Sequence, residues 1–409
     1  MKNLLATLCL GLMVLACNKL SPSGREENAG IAPRDVDTLP SSCPFLTEDP
    51  KGNIVLSYVR EVNDSVFMMC YVVSEDKGKS FGNPIEIPSS RGVRPHGENL
   101  PKMVFKPDGE ILAIWGVSNP SPTKKYGGLV FYAQSHDGGK TFSEAKPLVR
   151  DTTSIDQRYF DVAVLPDGEA GIVWLDNRRK SENNGSTLYF AVTKGNNGFQ
   201  EERPLQESTC VCCRTELFVG SGGKIHVAYR IILNDSIRDM VHMVSTDGGK
   251  AFSPPQRISP DDWVINGCPH TGPTMTENQN GLHFSWFTMG KGEGVFYGRS
   301  ADYGKTFSPR ESVSSKPSAK HPQITAFESG NLAIVWDEAS QQGDATGNHI
   351  GLQVRDPLGK VIGGKIATSD SGNFSFPVLK AIDNATLLIA YTARHGKKSK
   401  VNYQLQKWE

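Results

Sequence analysis

The chain has 409 residues, with 44 basic and 44 acidic side chains, so its formal charge is zero. It carries no long basic run, and so lacks the electrostatic footprint of a nucleic-acid partner. Its 41 glycines and 9% aromatic residues suit a turn-rich all-β protein, and a single repeat filling this length argues for one large domain.

The first 17 residues read as a leader. Met1-Lys2-Asn3 is a short basic start, and Leu4 to Leu15 is apolar but too short to span a bilayer as a helix. Val14-Leu15-Ala16-Cys17 resembles a bacterial lipobox, which implies a lipid on Cys17 and a place in the bacterial cell envelope, at the outer membrane. The membrane is then met through that anchor alone. An ordinary cleaved leader with a free thiol is the alternative. Residues 18–31, rich in Ser, Pro, Gly and charge, form a flexible tether, and the folded domain runs over residues 32–409. No later segment is apolar enough to be transmembrane.

Seven apolar strands follow at regular intervals, each after a Gly or Asn turn and each ending near an aromatic. They run Asn53 to Tyr58, Glu110 to Trp115, Glu169 to Trp174, Lys224 to Tyr229, Gly281 to Trp286, Asn331 to Trp336 and Ala385 to Tyr391. Continuous apolar runs such as Ile111 to Trp115 are what strands covered on both faces require. A third strand follows in each unit, such as Gly128 to Gln134, and then a fourth, such as Ala145 to Val149. Four antiparallel strands repeated around a ring make a β-propeller, which leaves only short edges exposed. The chain ends on a third strand, Val401 to Leu405, so the segment Ala32 to Leu39 is expected to supply the missing fourth and close the ring. Seven blades are favoured, with six blades and an extra hairpin as the competing count.

Between third and fourth strands lies a recurring octapeptide. Its copies are Ser74 to Phe81, Ser135 to Phe142, Ser245 to Phe252 and Ser300 to Phe307, with aspartates at Asp76, Asp137, Asp247 and Asp302. Glycine permits a positive φ in a tight turn, Asp and Ser/Thr bond the turn's own backbone, and Phe plugs a hydrophobic seat. Thr193 to Phe199 and Arg355 to Ile362 are worn versions. The octapeptide resembles the Asp-box of the sialidase (bacterial neuraminidase repeat) superfamily, with Phe in place of Trp. That resemblance covers essentially the whole mature chain and implies a propeller with peripheral Asp-boxes that serve the fold. The enzymatic members have six blades.

The resemblance also implies a ligand face where residues just before each innermost strand crowd one end of the channel. Repeat phase places there Cys43; Arg94, His96 and Glu98; Asp156 and Arg158; Cys210, Cys212, Cys213 and Arg214; Cys268 and His270; Lys320 and His321. Sialidases hold a substrate carboxylate with three arginines and use an Asp acid/base with a Glu-assisted Tyr nucleophile. Their first arginine sits in a Phe/Tyr-Arg-Ile-Pro motif, and the equivalent Ser41-Ser42-Cys43-Pro44-Phe45 lacks it. Arg158 and Arg214, with Arg94 as a third arm, are candidates for an anion clamp, because guanidinium pairs with carboxylate in two-pronged fashion. Ion pairs with neighbouring units are the alternative for both. Tyr159 and Glu216 lie nearby in sequence with no pattern fixing a role.

Six cysteines remain beyond the leader, and Cys70, within an apolar strand, reads as core. Cys210, Cys212, Cys213 and Cys268 with His270 fit three chemistries: disulfides in an oxidising envelope, a thiolate–imidazole site for copper or zinc, or a redox thiol. Asp176-Asn177-Arg178-Arg179 reads as a solvated hairpin loop, and His226, His242 and His283 as strand residues with hydrogen-bonded rings. Three functions therefore stand: a propeller that binds or hydrolyses an acidic glycan or other small anionic ligand, a non-enzymatic metal-binding module, and a scaffold for protein partners with every cysteine bridged.

Overall fold

The structure is a computed structural model and describes residues 32–408 apart from 123–124, 152, 179–184, 343–344 and 370–371, with the backbone alone for 341–342 and 345–346. The expected leader, tether and Cys17 anchor lie outside the described residues. Among the described residues strands dominate and pair antiparallel, and the helical turns are three short 3-10 segments at Pro88–Ser90, Gly195–Asn197 and Ser221–Gly223. Among the described residues no helix is long and apolar enough to cross a membrane.

The innermost strands are Ser41–Glu48, Lys102–Phe105, Gln157–Val164, Glu216–Val219, Thr274–Asn278, Lys320–Ala326 and Phe374–Ala381. Each touches the next, and the last touches the first, so they form a closed cycle around a hub. Outward from each runs one of the expected apolar strands: Ile54–Asn63, Ile111–Ser118, Ala170–Asp176, Ile225–Leu233, Gly281–Thr288, Leu332–Gln342 and Thr386–His395. Their aromatics Tyr58, Trp115, Trp174, Tyr229, Trp286, Trp336 and Tyr391 are all buried, each adding up to about 3 kcal/mol of burial. Counted as continuous sheets there are six among the described residues; one has eight strands because Thr209 pairs with Ile231 across two four-stranded runs. Counted as four-stranded units there are seven.

The ring closes where Arg34 and Asp35 pair with Tyr403 and Asn402 on the C-terminal strand, inside the segment the sequence nominates. Physically, this joins the two chain ends in one sheet and leaves only the short Arg34–Asp35 strand as its outer edge.

The four octapeptides share one geometry. In the second, Ser135 Oγ donates to Asp137 and accepts the Gly139 N–H, while Asp137 accepts the N–H and hydroxyl of Thr141. These bonds, led by the Thr141 hydroxyl, hold Asp137 down at about 2. Each aromatic then lodges against the preceding unit: Phe81 on Tyr403, Phe142 on Tyr71, Phe252 on Phe190 and Phe307 on His242. The motif is therefore a rivet between neighbouring units.

Two interior readings of the sequence resolve differently. Cys70 is core, as its strand pattern indicates. Asp176 is not in a solvated loop: it is fully buried and accepts hydrogen bonds from Ser154 Oγ, Trp174 Nε1 and the Arg178 N–H. A carboxylate with that many donors can be buried without strain on the charge, and sequence alone showed only a charged run.

Candidate functional site

The hub mouth is built by a repeated defect. Four inner strands shift register just after they begin, between Ser42 and Phe45, Arg158 and Asp161, Lys320 and Gln323, and Ser375 and Val378. Inside each shift one residue adopts left-handed backbone: Cys43 (φ 60°), Tyr159 (φ 55°), His321 (φ 51°) and Phe376 (φ 52°). His270 (φ 53°) does so just before the fifth inner strand. A non-glycine residue there costs about 1–2 kcal/mol, and bulges of this kind re-aim side chains. All five line one of two adjacent cavities, of 630 and 520 Å³, and His96 lines both.

The 520 Å³ cavity is lined by Arg94, Lys125 and Arg158 against one carboxylate, Asp156, with His96, Tyr159 and His270 completing its polar wall. Arg158 grips Asp156 through Nε (2.7 Å) and Nη2 (2.9 Å). Asp156 also accepts the Gly128 N–H and Asn177 Nδ2, so it is fully engaged. The Arg94 guanidinium has no partner among the described residues. His96 Nδ1 accepts the Glu98 N–H at 3.2 Å, so the neutral ring carries its proton on Nε2 and is a donor there. Burial, and then Arg94, His270 and Arg158, hold His96 down to about 4, so it stays neutral. Burial likewise lowers His270 and raises Tyr159, leaving an uncharged imidazole and a protonated phenol. The wall is dominated by donors and cations.

The 630 Å³ cavity differs. His321 Nδ1 bonds Asp337 Oδ2 at 2.8 Å, the same oxygen accepts the Phe376 N–H, and the His321 and Phe376 rings lie 4.1 Å apart. Burial opposes charge on His321, but Asp337 outweighs it and its affinity for a proton rises. Cys43 is buried there, and burial pushes its thiol up to about 11, so it is a poor nucleophile.

The structure brings only part of the expected clamp together. Arg94 and Arg158 share the cavity; Arg214 does not line it. Its guanidinium is buried, paired with Glu98 Oε1 at 2.8 Å, and donates to the carbonyls of Gly272, Pro273 and Pro322. Arg214 is thus committed to holding four units together, which removes it from the anion clamp. The expected five-member metal set also divides. Cys210, Cys212 and Cys213 converge with all three sulfurs within 4.8 Å of one another, and Cys268 and His270 are outside that group. Cys268 is exposed and, with Cys212 and His270, faces the 520 Å³ cavity. His270 sits on a left-handed turn, and it meets the thiols only through Cys212 at the shared cavity wall. Glu216 lines the hub channel with Lys102 and Asp161; burial, then Asp161, lifts it to about 8. Sequence reasoning passed over Asp337, Phe376 and Lys125. The first two fall a few residues from the repeat positions, and only the bulge reveals their direction.

No family model matches the chain, and no curated protein matches it. Among solved structures, a PL25 ulvan lyase described as a new family of polysaccharide lyase is similar with a TM-score of 0.60 at 12% identity, over 92% of this chain and 96% of that one. The polysaccharide lyase Uly1 is similar with a TM-score of 0.55 at 12% identity, over 96% and 94%. The Hadza microbial sialidase Hz136 is similar at 0.47 and 13% identity, over 90% of this chain and 66% of its own. Together with the closed cycle of four-stranded units, the likeness to the two lyases establishes the fold: an all-β propeller built from four-stranded antiparallel sheets.

Proposed function

We propose that this propeller binds an acidic glycan in the 520 Å³ cavity and cleaves it by elimination beside a uronate carboxylate. One observation carries the reading: three cations and a donor-locked imidazole surround a cavity whose single carboxylate is already paired. A carboxylate entering it meets Arg94, which is free, and Arg158, with His96 Nε2–H as a third donor. The ligand's own negative charge also relieves the repulsion that depresses His96.

Elimination needs a base for the proton α to the carboxylate, an acid for the departing glycosidic oxygen, and neutralisation of the carboxylate. The uncharged His270 ring suits the first role and the Tyr159 hydroxyl the second. The C–H electrons form the new double bond as the C–O bond breaks, and the phenol proton goes to the leaving oxygen. Sialidase-type hydrolysis fits less well. It needs free carboxylates, whereas Asp156 and Asp337 are tied to Arg158 and His321, and Arg214 is engaged with Glu98. The Asp-box rivets support the sialidase-superfamily ancestry of the scaffold, and the Cys17 leader supports presentation of the mouth from a bacterial envelope. The two polysaccharide lyases agree in fold.

The test is a panel of uronate-containing, sulfated and neutral polysaccharides, read by calorimetric binding and by ultraviolet absorbance of the unsaturated product. Binding restricted to acidic polymers, weakened tenfold or more by Arg94→Ala, with product lost in His270→Ala, is the expected result. Equal affinity for neutral polymers, or none for any, refutes the binding reading; binding without unsaturated product refutes the chemistry.

A further inference from the structure

The three thiols Cys210, Cys212 and Cys213 are a separate feature that glycan recognition does not use. They lie in a tight turn after Thr209, pinned where the Cys210 N–H donates to the Arg230 carbonyl at 2.9 Å. Cys210 Sγ is 3.6 Å from Cys212 Sγ and 3.2 Å from Cys213 Sγ, and all three residues are buried. A buried cysteine usually packs as a small hydrophobe among carbon atoms. Three sulfurs turned onto one point instead crowd polar lone pairs together, and only a shared proton, a covalent bond or a cation relieves that.

A cation touches the cluster directly. Arg238 Nη1 donates to Cys210 Sγ at 3.5 Å. Arg230, whose carbonyl accepts the Cys210 N–H, is buried, and its Nε has no hydrogen-bond partner among the described residues. We propose that Cys210, Cys212 and Cys213 form a three-thiolate site for a soft d10 cation, Cu(I) or Zn(II). Thiolate bonds to such ions are about 2.3 Å, which sets sulfur–sulfur distances of about 3.8–4.0 Å. The distances of 3.6 and 3.2 Å from Cys210 Sγ fall short of that range, so loading spreads the sulfurs by less than about 1 Å. Soft thiolates select these ions over hard ones. Three thiols lose three protons on binding, and the surplus negative charge rests against Arg238. Cys212 lines the mouth cavity, which gives the ion a route in and leaves Zn(II) a fourth position for water.

The experiment uses the full-length mature protein, reduced and stripped of metal, with Cu(I) in competition with a chromogenic chelator and Zn(II) in parallel. Binding of one ion per chain, with a thiolate-to-metal charge-transfer band for Cu(I), is expected. Cys212→Ser is expected to weaken it by on the order of 100-fold or more, since even changes outside the ligand shell cost 10–100-fold. Cys268→Ser and His270→Ala leave the band in place; circular dichroism separates unfolded variants from those that have lost only the ion. If Cys212→Ser fails to fold, Cys213→Ser is read the same way. Failure to bind either ion overturns the proposal. So does a disulfide joining two of the three sulfurs in protein taken directly from cells, or retention of the band when all three are serine.

Discussion

Replacing Arg214 by Met should unsettle the hub without touching ligand recognition. The guanidinium and the Glu98 carboxylate are both buried and 2.8 Å apart. Glu98 also accepts the Gly272 N–H at 2.9 Å. The substitution leaves the carboxylate with that one donor and strips a donor from the carbonyls of Gly272, Pro273 and Pro322. Removing one partner of a buried pair costs about 3–5 kcal/mol. An unfolding entropy of about 2.1 cal/mol/K per residue makes roughly 0.8 kcal/mol/K for a domain this long, so the midpoint should fall by ~4–6 °C. Glu98→Gln should cost a similar amount. The double variant Glu98→Leu with Arg214→Met should cost far less than the sum, because no unpaired charge is left; a coupling of about 2–3 kcal/mol is expected. Calorimetry and urea titration of the wild type, both singles and the double supply the cycle. Singles that each cost under about 1 kcal/mol and add without coupling would refute the clamp, as would a tenfold loss of glycan affinity in folded Arg214→Met.

Four further outcomes follow. Arg94→Ala should weaken acidic-glycan binding and flatten its salt dependence while the melting temperature stays within about 1 °C, since the side chain supports nothing else; differential scanning fluorimetry with calorimetry checks both. Burial holds His226 and His283 down to about 4 and His242 to about 3. The unfolded chain takes up those protons first, so stability should fall steadily as pH drops from about 6.5 towards 4, by about 1.4 kcal/mol per pH unit for each ring that stays neutral. His321 has the opposite sign: its raised affinity stabilises the fold below its unfolded value and that gain is lost as pH rises, so Asp337→Asn should cost more at pH 5 than at pH 8 in urea titrations. Finally, Gly138 and Gly139 have similar φ (75° and 85°), yet a Cβ on Gly138 meets open space while one on Gly139 falls 2.2 Å from Tyr71 Oη. Gly138→Ala should cost about 1–2 kcal/mol through backbone strain alone, and Gly139→Ala measurably more; equal costs would contradict the rivet.

The scaffold was readable because its signals are local and repeated. An apolar strand ending in an aromatic, then a turn whose Ser, Asp and Gly bond one another, needs no long-range information, and each Phe of the octapeptide reports its neighbour by being apolar in an exposed turn. Ring closure was readable for a similar reason: a unit lacking a strand demands one. The mouth was only half legible. Repeat phase brought Arg94, His96, Arg158 and Cys212 to one cavity wall, but phase carries no information about direction. Arg158 and Arg214 look alike in sequence, and what separates them is which carboxylate each finds: Asp156, just before its strand, holds Arg158 at the cavity wall, whereas Glu98 from two units away draws Arg214 into the hub. His270 makes the same point: a positive φ just before its inner strand places it at the cavity wall beside Cys212 and not in the cluster of three sulfurs. In a propeller, then, chemistry is decided by the small defects at the start of inner strands, where a single residue's backbone chooses between the hub and the open mouth.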